Sequence, residues 1–332
     1  MLPEKLRAIA RALSFPSGAR LVRQGEPSRG AFVVRAGRVE AQVALPGGGM
    51  LAVAELGEGD MFGEMALIER GVCSASVVAK SDVTAWFIER EDFRAMVASR
   101  DAAALELQRA ITRLLAQKLR ALNTRLREHP AEEDRAPRGE PPARTDLAAA
   151  PEPAFAWRAF LPLLRFLEGF DAYEIEEFLA IARAFELPRG AWLFAAGQAP
   201  QSCFLVVRGA LEVLSRLGAL ERRVALAGPG ELVGYLAVLE GTPHAAGARV
   251  RESAVLLEFP AASFLGLYNG SSGASVRLQH AIHGSLLRSL ARTNSQLTRL
   301  IAAARLRGAQ AEGRALEAAR GSQIVDLVEQ PH

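Results

Sequence analysis

The 332-residue chain carries a formal net charge of +3, two cysteines and an apolar fraction of 50%. That length suggests two domains joined by a linker, with enough apolar residues for ordinary globular cores. The small charge does not point to nucleic acid, no segment has the uninterrupted apolar length of a membrane span, and Cys73 and Cys203, far apart in sequence, fit a reducing cytoplasm.

The N-terminal MLPEKLRAIARALSF reads as an amphipathic helix, predicted through EKLRAIARAL, rather than a secretory signal. The chain then repeats itself. FPSGARLVRQGEPSRGAFVVRAGRVEA at 15–41 matches LPRGAWLFAAGQAPQSCFLVVRGALEV at 187–213. Gly18, Gly25 and Gly37 fall opposite Gly190, Gly197 and Gly209, and Glu40 opposite Glu212, all at an offset of 172. After the PGGGM hairpin the offset becomes 171, and Gly57, Gly59 and Gly63 match Gly228, Gly230 and Gly234. Glycines recurring at such spacings mark turns that need positive φ or close backbone approach. The Val-, Leu- and Phe-rich stretches between them, such as AFVVRAGRVEAQV and CFLVVRGALEVLS, are predicted strands. Many short strands at turn spacing imply an antiparallel roll or barrel.

Each roll is flanked by helical patterns. DAYEIEEFLAIARAF precedes the second roll, with Asp171 as the expected N-cap. A long helix follows each roll. Ile111, Leu115, Leu119, Leu122 and Leu126 form a stripe on the first, and Ile282, Leu286, Leu290, Leu297 and Ile301 on the second. Such a stripe packs on its own domain or pairs with a partner helix, and a homodimer seam is the expectation for at least one. The expected class is therefore α+β: two antiparallel β-rolls, jelly-roll-like, each with flanking helices and a long C-terminal helix. Residues 1–128 form the first domain and 154–301 the second. Residues 129–153, rich in Pro, Ala and charge, are expected to be a disordered linker. Residues 302–332 are expected to be a frayed helix or tail.

The glycine pattern, the roll and the stretch FGEMALIERGVCSASVVA at 62–79 together resemble the cyclic nucleotide-binding domain, the family of the catabolite activator protein and the regulatory subunit of protein kinase A. The resemblance implies a phosphate-binding cassette. In it a Gly-Glu pair opens a short helix whose first amides meet a cyclic phosphate. The acid accepts from the ribose 2′-hydroxyl, and a later Arg forks onto the phosphate. Gly63 and Glu64 match the Gly-Glu pair, Met65 and Ala66 would supply amides, and Ser74 and Ala75 fall on the small and hydroxyl positions, followed by Ser76. Cys73 stands on the Arg position and Val72 on the usual Pro. Losing a charge-assisted pair to phosphate costs on the order of 2–4 kcal/mol, roughly 30- to 1,000-fold in affinity. Arg70 is the nearest cation in sequence, where a solvated role is the ordinary reading. In the second copy Gly234 is kept, but Tyr235 replaces the acid and His244 the Arg, followed by Ala245. Asn123 and Thr124 lie where the resemblance implies a contact to the purine, and Asn294 and Ser295 match them.

These features define a non-enzymatic regulator or adaptor with degenerate pockets and output through protein contacts. The alternatives are a working sensor of cAMP, cGMP or a cyclic dinucleotide in the first domain, and a nucleic-acid regulator using Arg109, Arg113, Arg120, Arg125 and Arg127. No cofactor is expected beyond a cyclic nucleotide ligand. No metal cluster, nucleophile–base pair or Walker loop stands out.

Overall fold

The computed structural model describes residues 3–44, 49–68, 71–128, 135–137, 145–217, 220–293 and 295–296. In the first copy the elements are α1 (Glu4–Ile9), β1 (Arg11–Phe15), β2 (Arg20–Val22), β3 (Gly30–Ala36), β4 (Val39–Ala44), β5 (Met50–Leu56), β6 (Met61–Phe62), α2 (Met65–Ile68), β7 (Ser76–Ala79), β8 (Val83–Glu89), α3 (Arg90–Ala98) and α4 (Ala102–Glu128). After β9 (Arg135–Pro137) and three 3-10 turns, the second copy runs through α5 (Ala172–Leu179), β10 (Arg183–Leu187), β11 (Trp192–Phe194), β12 (Ser202–Leu217), β13 (Leu220–Ala227), β14 (Leu232–Val233), α6 (Tyr235–Glu240), β15 (Gly247–Pro260) and α7 (Ala261–Asn269). Residues 273–293 form its long helix, α8.

The first roll has two antiparallel layers, ordered β1-β8-β3-β6 and β2-β7-β4-β5. The second merges both layers, because β12 and β15 are long enough to bend across them, in the order β10-β15-β12-β13-β9. The glycine repeat is a repeat of backbone shape: in five of its six pairs both members have positive φ. The exception, Gly57 and Gly228, does equivalent work in both copies. Each donates its amide to the acid three residues on, Asp60 and Glu231, at 2.9 Å.

Two expectations are corrected. The helices before each roll are shorter than predicted, because Arg11–Phe15 and Arg183–Leu187 pair with β8 and β15 as strands. Ladder pairing overrides a helical pattern there. Asp171 does cap α5, in a reciprocal box with Glu174 (2.8 and 3.0 Å). Within the segment expected as a disordered linker, two described stretches are ordered: β9 extends the edge of β13, and Leu147 is buried in the core of the second roll; residues 129–134 and 138–144 lie outside the described residues. The described parts of the α4 and α8 stripes pack within the chain. Leu115, Leu119, Ile282 and Leu286 share one apolar cluster. Leu297, Ile301 and the tail lie outside the described residues.

The helix pair has an internal symmetry. Gln108 Nε2 donates to Gln279 Oε1 at 2.7 Å, 171 residues apart, and Thr112 Oγ1 bonds His283 Nε2 at the same separation. Thr293 Oγ1 donates to Asn123 Oδ1 at 3.3 Å, 170 residues apart. Each residue thus meets its own repeat counterpart, or its neighbour, with both helices running the same way. That is the signature of an isologous two-fold interface, built here within one chain. With the clustered Leu115 and Leu119, the seam positions 108, 112, 115 and 119 step by four, three and four residues, the spacing of a parallel coiled coil.

Candidate ligand-binding site

In the first cassette both the glutamate and the Ala66 amide are engaged within the chain. Gly63 takes φ +71°, and a Cβ there would stand 3.0 Å from the Gly30 carbonyl oxygen, so only glycine turns the chain this way. The turn delivers Glu64 into the interior, where it is 3% exposed. Its carboxylate is occupied, because Lys118 of α4 donates to Oε1. Met65 begins the four-residue α2, but the Ala66 amide, expected to face an anion, bonds back to the Gly63 carbonyl at 3.0 Å. So short a helix closes its own first turn. Arg90 pins the cassette from behind, donating to the Ala66 and Ser28 carbonyls.

Cys73 sits at the distal end. Its amide bonds the Glu26 carbonyl at 2.8 Å and its carbonyl accepts from Gly25 at 2.9 Å. Burial pushes the thiol up, partly countered by the Ser28 side chain, so it supplies neither charge nor a thiolate near neutrality. Ser74 is exposed and Ala75 half-buried. Ser76 is buried and accepts from the Gln24 amide at 3.0 Å. Arg70 lies outside the described residues.

The second cassette has the same backbone and different contents. Gly197 donates to the His244 carbonyl at 2.8 Å and His244 to that of Gln198 at 2.9 Å, so His244 occupies the place of Cys73. Its ring stacks on Phe194 at 3.7 Å with an interplanar angle of 12°. Phe194 replaces Val22 in the repeat. Both rings crowd Gly234 (φ +84°), whose hypothetical Cβ would lie 3.1 Å from Phe194 and 3.3 Å from His244. The end of the cassette that would receive a phosphate is thus filled by aromatic rings. Tyr235 is 5% exposed, and burial pushes its hydroxyl well above the usual value. Ala245 is exposed.

A cavity of about 310 Å³ opens beside this cassette. Gly234, Tyr235, His244 and Ala245 all line it, and so does Asn123 of α4. Asn123 therefore faces the cavity of the opposite copy, while Thr124 is exposed and donates to the Arg120 carbonyl at 3.1 Å. Arg120, one of the arginines read as a nucleic-acid contact, is engaged within the chain: it donates to Glu240 and to Thr242 Oγ1 (2.6 Å) just after α6. Helix α4 thus touches both cassettes, through Lys118 on one and Arg120 on the other.

Sequence reading passed over Lys118 and Phe194. Lys118 is one of only three lysines in the chain, yet nothing local shows that it folds back onto Glu64. Phe194 was within reach of the repeat alignment, where a phenylalanine opposite a valine marks a filled space.

Two rolls of this topology, each with a glycine-acid or glycine-tyrosine cassette and a long C-terminal helix, define a tandem regulatory β-roll protein. The sequence model of the cyclic nucleotide-binding domain matches residues 12–100 and 184–271, and the chain belongs to that family. Over 127 residues it is 28% identical to a CRP-like cAMP-activated global transcriptional regulator of Mycobacterium tuberculosis, covering 37% of this chain and 55% of that protein. Over 112 residues it is 33% identical to the cyclic AMP receptor protein of Thermus thermophilus, covering 34% and 50%. The chain spans about half the length of these curated relatives. Among solved structures it is similar to the regulatory domain of Toxoplasma gondii PKA crystallised with cAMP, at 20% identity and a TM-score of 0.32, covering 83% of this chain and 87% of that one. Among the described residues no helix is long and apolar enough to cross a membrane.

Proposed function

We propose that the chain is a non-enzymatic regulator whose two cyclic nucleotide-binding-like domains form a built-in pair, with the first cassette latched rather than open and the output carried by the paired long helices. The observation that carries this reading is the Lys118–Glu64 bond. A ribose hydroxyl would have to displace a charge-assisted hydrogen bond, roughly 1.5–3 kcal/mol in kind. It would do so with no cation at Cys73 to repay the exchange. Because α4 also holds Glu240 through Arg120, any movement that frees one cassette changes the grip on the other. This is a bistable element that a ligand or protein partner could bias.

Titration calorimetry of the whole chain with cAMP, cGMP and a cyclic dinucleotide tests the reading. Wild type is expected to bind each with a Kd weaker than about 0.1 mM. Cys73→Arg combined with Lys118→Ala should gain cAMP binding, and adding Glu64→Ala should remove the gain. Micromolar binding by wild type sinks the proposal.

Lys118 also supports a second reading. It is a cation already inside the first cassette, and it would stand in for the missing Arg in a working cyclic nucleotide sensor. Under that reading wild type binds and Lys118→Ala alone abolishes binding.

A further inference from the structure

The cavity of the second copy has the wrong chemistry for a cyclic phosphate and a coherent chemistry of its own. Its phosphate end is filled by the Phe194–His244 stack. The lining guanidiniums are engaged, Arg120 with Glu240 and Thr242, and Arg292 with Glu231 at 2.7 Å. The walls are mainly apolar. Val213 and Ala225 contribute from the roll, Leu119 and Leu126 from α4 of the other copy. Four buried side-chain polar atoms among the described residues lack a hydrogen-bond partner, and two of them, Ser215 Oγ and Tyr235 Oη, belong to residues of this wall. The Ser289 side chain, also of the wall, is close enough to ease the Tyr235 hydroxyl slightly, but forms no well-aligned bond. Unpaired buried hydroxyls are rare and call for an explanation.

We propose that this cavity is a binding site for an uncharged, flat, largely apolar small molecule carrying one or two hydrogen-bonding groups, which it would offer to Asn123 and, after a side-chain shift in the wall, to the closed-off hydroxyls of Tyr235 and Ser215. The volume lies at the lower end of ordinary ligand sites. A ligand there would touch Leu119, Asn123 and Leu126 on α4. Occupancy of the second copy would therefore bear on the same helix that latches Glu64 in the first. The inference rests on the reading that the second copy no longer takes the family's anion.

The test uses N-phenyl-1-naphthylamine, an uncharged fluorophore of about 17 non-hydrogen atoms that suits a cavity of this class. Its comparison is 8-anilinonaphthalene-1-sulfonate, the same skeleton with an added anion. The whole chain is expected to bind the neutral probe at one site, and the sulfonate at least about tenfold more weakly. Ala225→Trp and Val213→Phe, which fill the cavity from half-buried strand positions, should each weaken the neutral probe by at least about tenfold. Nuclear Overhauser contacts from naphthyl protons to the methyl groups of Leu119, Leu126 and Val213 locate the probe in wild type, whether or not the variants fold. Absence of those contacts, undiminished binding in folded variants, or tighter binding of the sulfonate would overturn the inference. Adding cAMP separates the two proposals. Tight cAMP binding that leaves the neutral probe in place refutes the latched-cassette reading alone, whereas silence of both ligands refutes the cavity proposal alone.

Discussion

His283 makes the helix pair sensitive to acid, and the size of the effect can be worked out. The residue is fully buried on α8 against α4. Its Nε2 lies 3.2 Å from the Gln108 carbonyl and also bonds Thr112 Oγ1, while Nδ1 has no partner. A carbonyl only accepts, so Nε2 carries the proton and Nδ1 is a bare, buried acceptor. Protonating Nδ1 would bury a charge and a donor together. Burial first, and then His280, push its pKa down to about 3 from the usual 6.5, against a small opposing pull from the Gln108 carbonyl. Since the folded value lies below the unfolded one, the unfolded chain binds the proton first. Stability is fully present above pH 6.5, falls as pH drops from 6.5 towards 3, and is level below that. At pH 5 the loss from this residue is about 2 kcal/mol, at 1.36 kcal/mol per unit. The assay is urea unfolding at several pH values for wild type and for His283→Gln, which keeps a donor but does not titrate. The wild-type stability relative to the variant should fall by about 2 kcal/mol between pH 7.5 and 5. His280, also pushed down by burial and by Arg94 and Arg277, is present in both and cancels. A difference flat to within about 0.5 kcal/mol would refute the assignment of a buried, neutral His283.

Other substitutions probe separate links. Tyr235→Phe removes a hydroxyl that is buried without a partner, so thermal unfolding should show stability unchanged or raised by up to about 1 kcal/mol; a loss above about 1 kcal/mol would mean that the hydroxyl is satisfied. Asp171→Ala breaks the capping box on α5 and should cost about 1 kcal/mol by chemical denaturation. Gly209→Ala puts a methyl 2.2 Å from the Ser253 carbonyl oxygen at φ +83°, combining backbone strain with a clash, and should cost more than about 3 kcal/mol or prevent folding; a variant with near-wild-type unfolding would show that the turn is not held this way.

The rolls could be read from the sequence because their glycines are demanded by backbone geometry. Gly37 and Gly209, or Gly63 and Gly234, sit at positive φ in both copies, and few other residues meet that demand. The cassette positions followed from the same alignment, and the equivalent backbone bonds of Cys73 and His244 agree with it. Long-range pairing was harder to see. Nothing within EKLRAIARAL distinguishes a continuing helix from a switch into β1, since the deciding interaction is a ladder with β8, more than sixty residues away. The stripes on α4 and α8 were visible as apolar periodicity. Periodicity alone does not distinguish a partner on another chain from one on the same chain. The deciding residues were polar: Gln108, Thr112, Gln279 and His283 interrupt the stripes and meet in pairs.

Those polar layers also say why the pair forms within one chain. In a coiled coil an isolated polar residue at the seam fixes register and partner at some cost in stability. Here Gln108 meets Gln279, a match that any parallel pairing would provide, but Thr112 meets His283. Two copies of α8 pairing in register would bring His283 against His283, two bare imidazoles where one hydroxyl now stands, whereas the mixed pair lets one hydroxyl serve as partner. The seam therefore favours α4 with α8 over α8 with itself. The same asymmetry extends to the cassettes. Lys118 on Glu64 in the first copy corresponds, at an offset of 171, to Ser289 beside Tyr235 in the second. An ion pair in one copy has become a pair of hydroxyl-bearing residues in the other. Changing either partner alone would have left a buried carboxylate without its cation or a lysine facing a phenol, so the two positions form one unit. Divergence of the copies has thus kept the shared helix frame and exchanged the chemistry at each cassette as a matched pair.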